Sequence, residues 1–396
     1  MARFLDDAEI REIVTNYITN PEPILSTQAL ITKIPELKDC KIQTGKVSDS
    51  IFQKKDGKIL VTEDNTPARL MHRTPRVSTH DIGRGEIPLK DQVLAINHNF
   101  MRRKVAPLIG TSQFEIDGLA DNAVVVVAED LGQIGFENVI RSHMAHSDTT
   151  TSLYYNYITK GVRDFCGHQL PEGLKPNQEL FTILHTPSTK SDTHDMSVSP
   201  QYLFDNDICT PEEYAEIRDT SMEAYELVSK YLYDKGIIVA DTKLEHGLNQ
   251  KGIIVAQDEM FTLDSSRFWM RKDYEYQLGL WLAGEEQELK NYLLETQGLT
   301  EQIIKEKYTH NGKVMIVPKS YSKEFARGMS VGDKGYTPEQ SIEIAVRYID
   351  SIQKITGQRF EPDMRPRNDA VIEDLQLIVD TLGIKPAYSA PAAKAY

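Results

Sequence analysis

Residues 236–269 read GIIVADTKLEHGLNQKGIIVAQDEMFTLDSSRFW. Two apolar β-branched runs, 237–240 and 253–256, flank a Gly/Asn/Gln/Lys turn, which predicts a β-hairpin. Along the first strand Asp241, Lys243 and Glu245 alternate with Thr242, Leu244 and His246, so the three charged residues share one face. With 247–252 as the loop, Glu245 falls opposite Ile254, and Asp258 lies further along the same face. Carboxylates beside one lysine on an otherwise apolar strand are costly unless something cationic neutralises them. A hard divalent ion carrying phosphate suits that role, and a salt-bridged solvent face is the alternative. Asp264, Ser265, Ser266 and Arg267 then form a tight turn that offers another arginine and two hydroxyls, with Phe268 and Trp269 as its core anchors. The stretch points to phosphate chemistry on a sheet.

The bulk of the chain narrows the classes. At 396 residues, two or three domains are expected. A net charge of −14 argues against general affinity for nucleic acid or anionic membrane, because phosphate backbones need clustered Lys and Arg. Small phosphorylated ligands need only a local basic pocket. Cys40, Cys166 and Cys209 are odd in number and far apart, with no CxxC pair, so neither a disulfide framework nor a zinc site is expected. The spacings of His143, His146, His168, His185 and His194 match no standard ligand set. No apolar run approaches the ~18 residues needed to span a bilayer, and the start lacks a signal core. A cytoplasmic protein is expected, with homo-oligomerisation left open.

Local signals give the organisation. Ile10, Ile13, Val14, Tyr17 and Ile18 have helical spacing, with acidic residues in the first turn. Residues 42–62 read as strand–turn–strand, 90–104 as a helix, and 123–128 and 135–144 as strands. Thr210-Pro-Glu-Glu and Thr337-Pro-Glu-Gln each place a cap, a first-turn proline and a capping-box partner at a helix start. Residues 285–335 are Glu/Lys-rich and read as an appended surface module, and the Pro/Ala-rich end, 385–396, as a mobile tail. Strands of mixed connection with helices gathered around them favour α+β over a doubly wound sheet.

Several loops carry polar clusters. Residues 45–49, GKVSD, could hold phosphates with backbone N–H groups and one cation, although Gly-Lys is also a common turn and no Walker pattern is present. Residues 76–81, RVSTHD, bring Arg76, Ser78 and Asp81 together as a phosphate-type site or as an internally bridged surface loop. Thr186-Pro-Ser-Thr-Lys190, with Asp192 and Asp195, could cradle a polar ligand or supply Asx-turns and caps.

Taken together and in this order, these segments resemble the SAICAR synthetase (phosphoribosylaminoimidazole-succinocarboxamide synthase) family of purine biosynthesis. The resemblance rests on GKVSD, RVSTHD with IPLKDQVL, VIRSHMAHS, FCGHQLPEGL, TPSTKSDTHD, GIIVADTKLEHG, DEMFTLDSSRFW and YTPEQSIEIAVRYIDSIQKITGQRF, over about residues 35–283 and 336–360. It implies a two-lobed α+β fold, kinase-like in its N-terminal lobe and ATP-grasp-like in the second, with the nucleotide between them. The expected division is 1–140 for the first lobe and 141–284 with 336–384 for the second, plus an extra N-terminal helix and the 285–335 insertion. The implied reaction is ATP activation of the carboxylate of CAIR (carboxyaminoimidazole ribonucleotide), then displacement of phosphate by the amine of L-aspartate. By position, Gly45, Lys46, Val47, Ser48 and Asp49 would touch ATP, and Glu245 and Asp258 would hold Mg2+. Arg141, Ser147 and Arg267 would grip the nucleotide phosphate, with Ser266 beside them in the substrate site. Asp241 and Lys243, the expected catalytic pair, would line the acceptor and aspartate pocket with Arg76, Ser78, Asp81, Lys190 and Asp195.

The chain departs from the family pattern at Ser48, where arginine is usual, at Pro75, where aspartate is usual, and at Ala128-Glu129, where a basic residue is frequent. The usual Gly-Ser-x-Trp becomes His146-Ser147 followed by Asp-Thr-Thr-Thr. These changes bear on nucleotide preference more than on the carboxylate cluster. Two alternatives stand beside the resemblance: a related ATP-dependent ligase with a different acceptor or amine, and a non-catalytic nucleotide-binding protein.

Overall fold

The computed structural model describes residues 3–19, 25–79, 82–190, 195–329 and 335–388. The chain divides into two compact units. Unit 1 comprises Met1–Gln133, Gly247–Gln257 and Ala326–Tyr396; unit 2 comprises Ile134–His246 and Asp258–Phe325.

The β-branched runs of unit 1 build an antiparallel sheet in the order Lys385–Ala387, Ile59–Val61, Ser48–Lys54, Ala68–Arg73, Val125–Glu129, with Cys40–Thr44 also paired to Ser48–Lys54. Ile51, Leu70 and Val125 on one face meet Leu30 and Ile31 of the short helix Thr27–Ile31 and Leu375 and Ile378 of the helix Arg367–Leu382 in one buried cluster. The helix Pro338–Thr356 packs on both Asp7–Thr19 and Lys90–Val105. Both capping boxes read from the sequence are formed, at Thr210 with Glu213 and at Thr337 with Gln340.

In unit 2 the strand Gly132–His143 lies between Glu179–His185 and Ile237–Leu248, with Ser188–Thr189 paired to the first and Ser266–Met270 to the last. The helix Pro211–Asp234 buries Tyr214, Ile217, Ser221, Tyr225, Val228 and Leu232, which recur at helical spacing. Antiparallel sheets with segregated helices make the fold α+β.

Three boundaries differ from expectation. Residues 336–384 belong with unit 1, because the buried stripe of Pro338–Thr356 packs against Asp7–Thr19 and Lys90–Val105. The 285–335 segment is not an appended surface module: its helices Glu286–Gln297 and Glu301–Lys307 put Leu289, Leu293 and Ile304 into the cluster that holds Ile238, Ala240 and Trp269. The expected mobile tail begins as a strand, Lys385–Ala387, paired with Ile59–Val61, while 389–396 lie outside the described residues. The return strand of the hairpin, Ile254–Gln257, sits in unit 1, where Ala256 N donates to Gly110 O at 2.8 Å and Ser112 N to Ala256 O at 3.0 Å. Among the described residues no helix is long and apolar enough to cross a membrane.

Candidate active site

The site is built on one face of the strand Ile237–Leu248. Its neighbour Ser266–Met270 sets Asp241 opposite Arg267 and Thr242 opposite Ser266. Because side chains alternate along a strand, Asp241, Lys243 and Glu245 share a face while Thr242 points away. Ser266 follows Thr242: the two hydroxyls lie 2.8 Å apart, both buried. The structure therefore does not bring Ser266 to Asp241 and Lys243 but uses it to tie the back of the sheet.

At one end of this face two guanidinium groups share one carboxylate. Asp241 Oδ1 accepts from Arg267 Nε and its Oδ2 from Arg141 Nη1, both at 2.9 Å. Arg267 Nη1 also donates to His146 O at 3.1 Å, and Arg141 Nη2 to Thr151 O at 3.2 Å. The loop carrying Ser147 is thus held by both arginines, and Ser147 Oγ lies 3.0 Å from Thr149 Oγ1. Glu324 stands only within 4.0 Å of Arg267, with its other oxygen accepting from Trp269 Nε1. Arg141 and Asp241 are buried, so this end holds cationic charge in a poorly solvated place, as an anion site requires.

At the other end the balance is acidic. Lys243 Nζ lies 2.7 Å from Glu137 Oε1 and 2.9 Å from Glu245 Oε1, and Lys190 pairs with the second oxygen of Glu245. Burial would lower the Lys243 pKa, but Glu245, Glu137 and Asp258 together push it above the ordinary lysine value. Burial likewise opposes ionisation of Glu245, and Lys243 and Lys190 bring it below the usual carboxylate range. Asp258 takes a left-handed backbone, φ 58°, which few residues other than glycine tolerate. Two lysines face three carboxylates here. At ~3.3 Å per residue, Asp241 and Glu245 stand about 13 Å apart, so one strand carries an anion-seeking end and a cation-seeking end.

The sequence left two ways to offset the charge of Glu245, a divalent ion or salt bridges, and Lys243 and Lys190 both pair with it. Among the described residues no group of three or more His, Cys, Asp or Glu is arranged to hold a metal. Mg2+ takes one or two carboxylates and keeps water or substrate phosphate as its other ligands. Glu245 and Asp258 fit that donor set in kind, for an ion arriving with a nucleotide, and do not form a ready cage.

The expected ATP loop lies in unit 1, between Cys40–Thr44 and Ser48–Lys54. Gly45 N donates to Ser48 O at 2.8 Å, and a Cβ on Gly45 would stand 2.7 Å from that oxygen, so only glycine fits the turn. Val47 O accepts from Thr74 N at 2.9 Å and from Thr74 Oγ1 at 2.8 Å. Lys46 is exposed and Ser48 half-buried. Asp49 and Arg76 are brought together on each other: Arg76 Nη2 lies 2.6 Å from Asp49 Oδ1 and donates to Gly45 O at 3.1 Å. The buried Asp49 also accepts from Thr27 Oγ1, so both residues hold the turn in shape. Ser78 is buried on the ribbon formed by Arg76–Thr79 and Ile82–Glu86. Asp81 lies outside the described residues; Asp195 is half-buried just after the undescribed 191–194.

Glu137 is the site residue missed from sequence. Its signal was present, since 137, 139 and 141 alternate onto one face of Gly132–His143, the face Arg141 uses. The histidines serve packing: His143 packs edge-on against Trp269 and Tyr274, and His185 against Tyr214.

Comparison with known proteins gives the family and the fold. A family model described as SAICAR synthetase matches residues 43–303. Phosphoribosylaminoimidazole-succinocarboxamide synthase of Legionella pneumophila (strain Paris) is 27% identical over 335 residues, 82% of this chain and 95% of that protein. The structure of SAICAR synthase from Saccharomyces cerevisiae complexed with SAICAR superposes with a TM-score of 0.59 at 21% identity, over 84% of this chain and 100% of that one. A SAICAR synthetase in complex with ADP gives 0.51 at 20% identity, over 81% and 100%. At these identities the two structures show a shared fold.

Proposed function

The chain belongs to the SAICAR synthetase family, and from that premise we propose how its residues divide the work of the ligase. The reaction is the ATP-dependent joining of L-aspartate to the carboxylate of CAIR, giving SAICAR, ADP and phosphate in purine biosynthesis. The γ-phosphoryl group moves to a carboxylate oxygen, so an acyl phosphate forms as ADP leaves. The aspartate amine then attacks the carbonyl carbon; the C–N bond forms, the C–O bond to phosphate breaks, and the amine loses a proton.

One observation carries the assignment: the opposite charge balance at the two ends of the 241–245 face. Arg141 and Arg267, with Ser147, hold the ribose phosphate of CAIR by bidentate, charge-assisted hydrogen bonds. Asp241 orients the two arginines and does not itself react, because both its oxygens are already engaged. Lys243 and Lys190 face the reacting carboxylate. The raised pKa of Lys243 makes it a fixed cation, offsetting charge on the transferring phosphoryl group, and not a base. Gly45, Lys46, Val47 and Ser48 hold ATP phosphates, in a turn kept in shape by Asp49 and Arg76. Glu245 and Asp258 would hold Mg2+, which would supply neutralisation of phosphate charge. Asp195 contributes to the aspartate pocket. No protein nucleophile is needed, and alignment of three substrates contributes roughly 7–11 kcal/mol. The three described cysteines are free thiols, which suits a reducing cytoplasm.

The deciding experiment mixes the purified chain with ATP, Mg2+, L-aspartate and CAIR. ADP release with a product of SAICAR mass is expected. Release of no ADP and no amide, or ADP release with another acceptor only, overturns the proposal.

A further inference from the structure

Forming the amide sets a proton requirement. The α-amine of aspartate is an ammonium ion at neutral pH, without a lone pair to attack. One proton must leave before attack and a second once the C–N bond has formed. Lys243, held above the ordinary lysine range by its carboxylate neighbours, stays charged and takes neither.

A carboxylate that is to receive an ammonium needs an oxygen not already committed. Asp241 has none, since Oδ1 accepts from Arg267 and Oδ2 from Arg141. Glu245 has none, with Lys243 on Oε1 and Lys190 on Oε2. Glu137 differs from both. Its Oε1 accepts from Lys243 Nζ at 2.7 Å, while among the described residues its Oε2 has no hydrogen-bond partner. That oxygen is not sealed in the core: the side chain is 16% exposed, and Oε2 reaches solvent.

Backbone pairing puts this oxygen among cations. Ser188 is the cross-strand partner of Glu137, and Lys190 N donates to Gly135 O at 3.2 Å. Lys190, two residues past Ser188, turns to the same face and reaches Glu245 there. Glu137 thus offers one free carboxylate oxygen beside Lys243, with Lys190 on the same face. Aspartate carries the complementary set, one ammonium and two carboxylates. Neighbouring lysine charges also disfavour the charged form of an incoming ammonium, which eases loss of its proton.

We propose, resting on the ligase reading above, that Glu137 is a catalytic residue that binds the aspartate ammonium and takes its proton. Oε2 accepts the N–H and relays the proton to water. The freed lone pair attacks the acyl carbon and the C–N bond forms. The C–O bond to phosphate breaks, its electron pair goes to the leaving oxygen, and the second N–H proton departs with that phosphate. General-base assistance of this kind contributes roughly a hundred- to ten-thousandfold.

The test compares the full chain with Glu137→Gln, supplying L-aspartate or hydroxylamine as the nucleophile with ATP, Mg2+ and CAIR. Hydroxylamine is already a neutral amine near neutral pH and needs no ammonium site. The glutamine oxygen can still accept from Lys243, so any loosening of that lysine acts on both nucleophiles alike. Glu137→Gln should lower kcat/KM for aspartate at least about tenfold more than for hydroxylamine, and Glu137→Asp should recover part of the loss. Succinate, which is aspartate without the amine, should inhibit Glu137→Gln at least as strongly as the parent. Equal losses with both nucleophiles, or parallel weakening of aspartate and succinate, overturn the proposal. Should the parent not accept hydroxylamine, the aspartate–succinate comparison decides; should Glu137→Gln not fold, Glu137→Asp is read by the same comparisons, with a smaller selective loss expected. A parent that releases no ADP with CAIR and aspartate overturns the ligase reading and this proposal with it. An active parent with parallel losses in the variant overturns this proposal alone.

Discussion

Lys243 on one strand lies with its Nζ 2.7 Å from Oε1 of Glu137 on the next, although 106 positions separate them in sequence. Together with Glu245, at 2.9 Å, the contact holds the ammonium between carboxylates of two strands. Glu137→Gln keeps the shape and removes the charge. A hydrogen bond to a charged group contributes roughly 1.5–3 kcal/mol, so kcat/KM should fall about ten- to a hundredfold. ADP-release kinetics at several aspartate and CAIR concentrations would measure this. Unchanged kinetics would remove Lys243 from the reacting group.

Asp241→Asn should leave Arg141 and Arg267 facing a neutral amide. Removing one partner from a buried ionic cluster costs roughly 3–5 kcal/mol, so the melting temperature should drop. Added inorganic phosphate should restore stability more in the variant than in the parent, because an anion replaces the missing charge. An equal phosphate response in both, seen by thermal shift, would contradict an anion site here.

Acid should destabilise the chain above the range in which carboxylates titrate. Burial holds the imidazoles of His72 and His143 down to about 4 and that of His185 to about 3. Their pKa is depressed in the folded state, so their stabilising contribution is complete above the unfolded value near 6.5. It is lost progressively as pH falls towards 4 and 3. Each pKa unit corresponds to about 1.4 kcal/mol, or about 2 kcal/mol per ring at pH 5. Urea midpoints at pH 7.5 and pH 5 would show it, and equal midpoints would refute it.

Leu293 is fully buried in the cluster that also holds Trp269 and Ile238. Leu293→Ala should therefore destabilise by roughly 2–5 kcal/mol, as in any close-packed core. A dispensable surface module would tolerate the same change. Urea unfolding distinguishes the two, and a shift under about 0.5 kcal/mol would favour the module.

Much of the site was legible beforehand. Period-two alternation placed Asp241, Lys243 and Glu245 on one face, and the turn residues of 264–267 brought Arg267 beside them. Ser266 is one residue from Arg267, so alternation turns it to the other face, where it meets Thr242. Glu137 was overlooked because a lone carboxylate on a strand has no local partner to mark it. The His72–Thr27–Asp49 chain involves residues 22 and 45 positions apart. No local pattern announces such a cluster.

From sequence alone came the strands, the capped helices and the shared face of the hairpin, since backbone geometry and side-chain periodicity act over a few residues. The tertiary structure alone decided which cation meets which carboxylate, as with Arg141 and Asp241, 100 positions apart. It also decided that Pro338–Thr356 packs with the N-terminal helices and that Leu289 and Leu293 belong to a core. Strand order and helix packing set those distances, and burial makes the resulting pairs strong enough to matter.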